Sequence, residues 1–325
     1  MAIKDSISRI GSLDKQTVSR FFKKQSLVIG FLIICISLAL LTDRFLTLGN
    51  ILNVVRQVSI SGLLSLGLTF VILAGGIDLS VASVMAFAGC MAAESQKMSL
   101  FTGIMIPVLV GAGFGLINGF LINKIKAQPF IMTLAIGTTV RGITYVYTNG
   151  EAIYNMTPIF RVIGGGRIAD TVPVPAVIFV VVILISYIIL NKTLIGRYIY
   201  AVGDNAEAAR LSGIKVERIN LFVYLVSGIL AGMAAVVLTS RLNAAEPIAG
   251  LGWELDAVAA VIIGGTSLRG GKGGVWGTVL GLFIIGVVSN GLNLLNVSTY
   301  YQNVVKGLII LFAVIADKIR EYERD

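Results

Sequence analysis

The chain has 325 residues, of which 56% are hydrophobic and only 13% charged. A water-soluble domain carries about a quarter charged residues, so this composition excludes a set of soluble domains and points to one large helical unit in a bilayer. The net charge of +9 is scattered between apolar runs, which excludes a nucleic-acid surface, and the absence of histidine excludes imidazole catalysis and histidine metal sites.

Residues 1–25 are mostly polar and are read as a cytoplasmic tail. No small-residue cleavage pattern follows the first apolar run, which is therefore taken as a retained span and not a signal peptide. Ten stretches are apolar enough to cross: about 26–42, 57–75, 78–95, 99–122, 128–147, 172–190, 219–239, 254–268, 275–295 and 302–317. Roughly 20 residues span the hydrocarbon, so the shorter ones need flanking residues or shielding by protein. Residues 26–317 then form an all-α transmembrane domain with a cytoplasmic loop at 191–218, and 318–325 form a C-terminal tail.

With the N-terminus inside, segments 1–25, 123–127, 191–218, 269–274 and 318–325 hold 6, 2, 5, 2 and 3 Lys/Arg, which is 18 of the chain's 26. That excess on one side follows the positive-inside rule and puts both termini in the cytoplasm.

Cys35 and Cys90 each lie inside an apolar run without metal-ligand spacing and read as inert buried thiols. AGGIDLSVAS (74–83) sets Gly75, Gly76 and Asp78 between two apolar runs. The glycines weaken the helix, and a carboxylate near the membrane is costly unless hydrated or paired. Asp78 is then a polar lining or hinge of a pathway, or a helix N-cap bonding the amides of the next span. Asn118 and Thr138 in later spans could line a polar route or satisfy helix–helix hydrogen bonds. Arg141, within TTVRGITYVYTNG, could face a cavity and meet a polyhydroxylated substrate, or snorkel to the outer surface.

GRYIYAVGDNAEAARLSG (196–213) is a polar insert in a greasy chain. Asp204 is expected to cap a short helix, with Glu207 completing a capping box. Ala206, Ala208, Ala209, Arg210 and Leu211 favour helix, Glu207 can pair with Arg210, and Gly213 supplies the stop. Two turns alone are marginal in water, so this helix needs a surface, either its own chain's cytoplasmic face or another protein.

Asp256 in the eighth span is a further candidate for the pathway or gate, and Asn290 in the ninth, like Asn118 and Thr138, could line a polar route or satisfy helix–helix hydrogen bonds. LRGGKGG (268–274) lacks the spacing of a phosphate loop, since Lys272 is followed by Gly273 and Thr266 stands where the first glycine belongs. No nucleotide site is expected, so ATP drive would require a partner. DLSVASV (78–84) resembles DAVAAV (256–261) apart from a one-residue slip, and GLINGFLIN (115–123) resembles VVSNGLNLL (287–295). The two Asp-led spans run in opposite directions, the arrangement of an inverted repeat.

On GIDLSVAS (76–83), RGITYVYTNG (141–150), GRYIYAVGDNAEAARLSGI (196–214), ELDAVAAVIIGGTSLRGGKG (254–273) and SNGLNLLNVSTYYQ (289–302), the chain resembles the permease subunits of bacterial ABC importers for monosaccharides. The match runs nearly the whole length after the N-terminal tail. Ala82 replaces a glycine usual in the first motif, and RGITYVYTNG, ARLSG and NGLNLL…YYQ look like the ribose-importing members. The resemblance implies a multi-pass protein of the bacterial inner membrane, surrounded by lipid, in which two permease copies form the path. It also implies a cytoplasmic ATP-binding subunit, a periplasmic sugar-binding protein and alternating access. The segment Gly203, Asp204, Asn205, Glu207, Ala208, Arg210 and Gly213 is similar to the helix that couples such permeases to the ATPase. The competing expectation is a proton- or sodium-coupled secondary transporter, with Asp78 and Asp256 as its coupling carboxylates. A membrane enzyme has no nucleophile–base arrangement to support it.

Overall fold

The structure is a computed structural model that describes residues 27–322; the expected tail 1–25 and residues 323–325 lie outside the described residues. Each of the ten apolar stretches falls on a helix: α1 (Leu27–Leu41), α2 (Leu48–Leu73), α3 (Val81–Ser95), α4 (Leu100–Ile125), α5 (Pro129–Thr148), α7 (Val174–Lys192), α10 (Val216–Leu242), α11 (Trp253–Ile263), α12 (Val275–Leu294) and α13 (Thr299–Tyr322). Three shorter helices are added between them: α6 (Pro158–Gly165), α8 (Leu194–Asp204) and α9 (Ala206–Leu211). Among the described residues, α2, α4, α7, α10 and α12 are long and apolar enough to cross a membrane by themselves. Several boundaries differ from expectation. α2 begins at Leu48 because Thr47 caps it, α11 stops at Ile263 before the glycines, and α13 runs on into the expected C-terminal tail.

Four two-residue strands make two antiparallel ladders, β1 (Ile153–Tyr154) with β4 (Ala244–Ala245), and β2 (Arg167–Ile168) with β3 (Val172–Pro173). They tie the connections at one end of the bundle, where Thr157 N–H also donates to Gln96 Oε1 at 2.9 Å. At the other end the Gly271 N–H donates to the Leu73 carbonyl at 2.9 Å, and Asn220 Nδ2 to Asn123 Oδ1 at 3.1 Å.

The most buried helices are α2, α3 and α10. α4 packs along α10 through Gly111, Gly115 and Gly119, one per turn on a single face. A Cβ on Gly111 would strike the Gly228 carbonyl oxygen, and one on Gly115 the Tyr224 carbonyl oxygen. Small residues permit that approach, which is how helices associate when lipid surrounds them. α11 and α12 meet in the same way, with Gly277 against Gly264 and Gly281 against Ala260. Hydroxyls inside the bundle mostly bond back to carbonyls on their own helix, as Ser59, Ser65 and Thr144 do. Thr69 of α2 and Thr278 of α12 do so too, and their hydroxyls also meet each other at 2.8 Å.

Gly111→Leu is expected to lower the thermal midpoint of the purified protein in detergent, since overpacking a tight contact costs about 1–3 kcal/mol. Gly113→Ala, where an added Cβ meets nothing within 4 Å, should leave it unchanged or raised.

Candidate functional site

The polar insert folds as two helices in series. Thr193 caps α8, accepting from the Gly196 N–H at 3.2 Å, and α8 buries Gly196, Ile199 and Val202 on one face. The expected cap of the second helix is corrected by one residue. Asp204 ends α8, and Asn205 caps α9, its Oδ1 accepting from Glu207 N–H and Ala208 N–H at 3.0 Å each. With the cap one residue later, Glu207 sits too early for the capping box. Its carboxylate instead binds Arg210 Nη1 at 2.9 Å, and Arg210 Nη2 reaches Glu217 at 3.1 Å. Gly213 (φ +84°) closes the helix as expected: its N–H donates to the Arg210 carbonyl, and Ile214 N–H to that of Ala209. Only Ala209 of α9 is buried, and Leu211 is 83% exposed.

A backbone junction fixes this unit. Gly203 lies so close to the end of α2 that a Cβ there would collide with the Leu73 carbonyl oxygen, and it would sit 2.5 Å from Gly271 N. The glycine-rich segment that superficially looked like a phosphate loop therefore packs between α2 and α8. Tyr200 adds a bond from its hydroxyl to the Gly273 carbonyl at 3.1 Å, and burial raises the phenol's pKa above its ordinary value.

The remaining expected site residues divide into two clusters and two outliers. Asp78 and Asn118 come together, each 1% exposed. Asp78 is not the N-cap of α3, a position Ser80 holds; it accepts from Ser80 N–H at 3.0 Å and Ser80 Oγ at 2.6 Å. Ser227 Oγ from α10 donates to its other oxygen at 2.9 Å, and Asn118 Nδ2 donates to Ser80 Oγ at 2.8 Å. Tyr224 OH and Thr133 Oγ1 secure the neighbouring Ile77 carbonyl at 3.2 Å each.

The second cluster contains Asp256 and Asn290. Asp256 pairs with Lys306 Nζ of α13 at 2.6 Å, and Asn290 exchanges amide bonds with Asn50 of α2 at 2.9 and 3.0 Å. Beside the ion pair, α2, α11, α12 and α13 enclose a cavity of about 110 Å³ whose lining is part polar, including Gln57, Ser61 and Trp253. A larger cavity of about 500 Å³ between α7 and α10 has Ser186 as its single polar lining residue, so it offers little to a hydroxylated solute.

Thr138 is exposed and bonds the Leu134 carbonyl of its own helix, joining neither cluster. Arg141 is half-buried and holds backbone. Its Nη1 clamps the carbonyls of Pro247 (2.6 Å) and Ala249 (3.1 Å), fixing the segment between β4 and α11.

The family described as branched-chain amino acid transport system / permease component matches residues 50–314. The chain belongs to this permease family. Among its relatives, the ribose import permease protein RbsC of Haemophilus influenzae is 46% identical, covering 92% of this chain and 94% of the relative. RbsC of Escherichia coli K12 is 41% identical over 94% and 99% of the two chains, and the D-allose transport system permease protein AlsC of the same strain 42% over 89% and 89%. No solved structure matches the chain.

The permease is thus a transport subunit and not an enzyme, multi-pass in the inner membrane, and the ion-coupled alternative falls. Lys306, the partner of Asp256, was not among the expected site residues. The signal was present, because a carboxylate within a span calls for a cationic partner. Nothing in sequence said which of several basic residues would reach it.

Asn205→Ala is expected to speed amide exchange at Glu207 and Ala208 by about fivefold, the effect of losing a cap of about 1 kcal/mol. Ser227→Val should destabilise the purified protein by about 1–3 kcal/mol in a denaturation titration, since it strips a donor from the buried Asp78 carboxylate.

Proposed function

We propose that this permease imports a monosaccharide, ribose foremost, by alternating access driven by ATP hydrolysis on a separate subunit. The observation that carries the coupling is α9: a two-turn helix with exposed Leu211 and Glu207, wired by backbone contact at Gly203 to α2 and to the 264–274 segment. A surface helix with an exposed leucine, held against rigid elements, suits docking by another protein. Gly203, Asp204, Asn205, Glu207, Ala208, Arg210 and Gly213 form or brace that surface, on which the cytoplasmic ATP-binding subunit sits. The periplasmic sugar-binding protein docks on the opposite end, and a second copy of the chain completes the transporter within the lipid. Ribose is favoured because two relatives of that name reach 46% identity, whereas in Escherichia coli the D-allose relative stands at 42% and the L-arabinose relative at 36%.

Ten crossings with both termini cytoplasmic fit the grouping of contacts. The segments at 74–80, 126–128, 193–215 and 264–274 alternate along the chain with those at 96–99, 149–173 and 243–252, and contacts link members of the same set. An inverted repeat is supported by the packing order. α2 lies on α11 and α12 as α10 lies on α3 and α4, and α2 and α10 cross each other. This pairing matches Asn118 of α4 to Asn290 of α12. The Asp78 cluster is then the closed cytoplasmic gate, and the Asp256–Lys306 cluster, with its cavity, lies on the outer half. Transport exchanges these two arrangements.

The test is ATP-driven uptake of labelled sugar into vesicles with the partner subunits present, comparing wild type with the double substitution Glu207→Arg and Ala208→Glu. The double variant should remain in the membrane but lose both co-purification of the ATP-binding subunit and uptake. Retention of both would remove α9 as the coupling element.

A further inference from the structure

The cavity between α2, α11, α12 and α13 has a composition unlike the rest of the bundle. Gln57, Ser61 and Ser65 on α2 repeat at i, i+4, i+8 and line one wall; Gln302 and Lys306 on α13, and Ser289 and Asn293 on α12, repeat at i, i+4 and line two others. α11 contributes Trp253 and Asp256. Four helices therefore turn polar stripes towards one space, where an apolar lining would have cost nothing in a membrane.

The chemistry of the lining narrows the ligand. Asp256 and Lys306 compensate each other's charge at 2.6 Å, so the site presents no net charge to select a cation or an anion. Between them they offer carboxylate acceptors and ammonium donors beside a carboxamide, which can both donate and accept. The Gln57 carboxamide and the Ser289 hydroxyl have no hydrogen-bond partner among the described residues. Gln302, by contrast, is already committed to Asn293 Oδ1 at 2.8 Å and the Val297 carbonyl at 2.9 Å, which fixes that wall. Trp253 supplies an aromatic face, the surface on which the C–H side of a sugar ring stacks while its hydroxyls engage polar groups around the edge.

We propose that this cavity is a transit site for a neutral monosaccharide within the permease, with Gln57, Ser289, Asp256 and Lys306 meeting hydroxyls and Trp253 stacking on the ring. This inference rests on the importer function above and deepens it by placing the substrate. The cavity of about 110 Å³ holds three or four waters at about 30 Å³ each. A sugar replaces them as α13, which packs chiefly on α11 and α12, swings aside. A site that must release its cargo binds weakly, so the ion pair and the two free groups suffice without a complete set of contacts.

The experiment uses the full importer, with its ATP-binding and sugar-binding subunits, in proteoliposomes. In a Cys35→Ser background, where Cys90 is buried, Ser289→Cys is exposed to a small methanethiosulfonate reagent with and without ribose. Ribose should slow modification by about fivefold, and sodium chloride at the same concentration should not. In parallel, Gln57→Leu should cut the ribose import rate about fivefold, the effect of one lost hydrogen bond. Stimulation of ATP hydrolysis by loaded binding protein should persist in that variant. Trp253→Leu should slow import similarly and Trp253→Phe should restore it. Modification of Ser289→Cys at a rate indifferent to ribose, or wild-type import by Gln57→Leu, overturns the site. A wild-type importer that fails to accumulate ribose overturns the choice of substrate instead, and protection is then read with the monosaccharide it does accumulate.

Discussion

In hydrocarbon, apolar helix faces gain nothing by meeting one another, so association depends on how closely backbones can approach. The glycine seam between α4 and α10 supplies that approach, and much of the permease hangs from it. With Gly111 and Gly115 seated on the carbonyls of Gly228 and Tyr224, α10 is set deep enough to carry Ser227 and Tyr224 to the break between α2 and α3. The same principle repeats where α12 meets α11, and that contact fixes the helix bearing Asp256.

The two carboxylates read from sequence are satisfied by different means. Asp78 is buried and held by hydroxyl and amide donors from its own turn and from α10, a combination that favours a rigid seam. Asp256 has a flexible ammonium partner on a peripheral helix and a cavity at its side. One cluster is closed by hydrogen bonds on every side the structure shows, and the other borders open space.

Apolar runs were legible because a membrane imposes a length and a composition on every span, and the capped insert was legible because its local signals agreed. The boundary error at Asp204 and Asn205 has a simple source. Both residue types cap helices, they are adjacent, and α8, which the residues 194–203 do not announce by composition, claims the first as its last turn. The partners of Arg141 were out of reach for a different reason: they are backbone carbonyls more than a hundred residues away, which carry no side-chain signature. The pairing of Asp256 with Lys306 joins residues 50 apart and depends on how α13 folds back, again outside the range of local pattern. The glycines of 264–274 looked like loop chemistry and proved to be packing, because a missing side chain serves both ends equally well.

The junction at Leu73 has a mechanical consequence. α2 has 26 residues, about 39 Å at 1.5 Å per residue, and its other end carries Asn50, bonded to Asn290. At one end it is held between Gly203 and Gly271. A tilt of about 5° at that end carries the far end some 3 Å, roughly half a helical turn. A displacement of α8 would pass to the end of α2 from backbone to backbone. Because no side chain intervenes at Gly203, there is no soft rotamer to absorb the motion on the way.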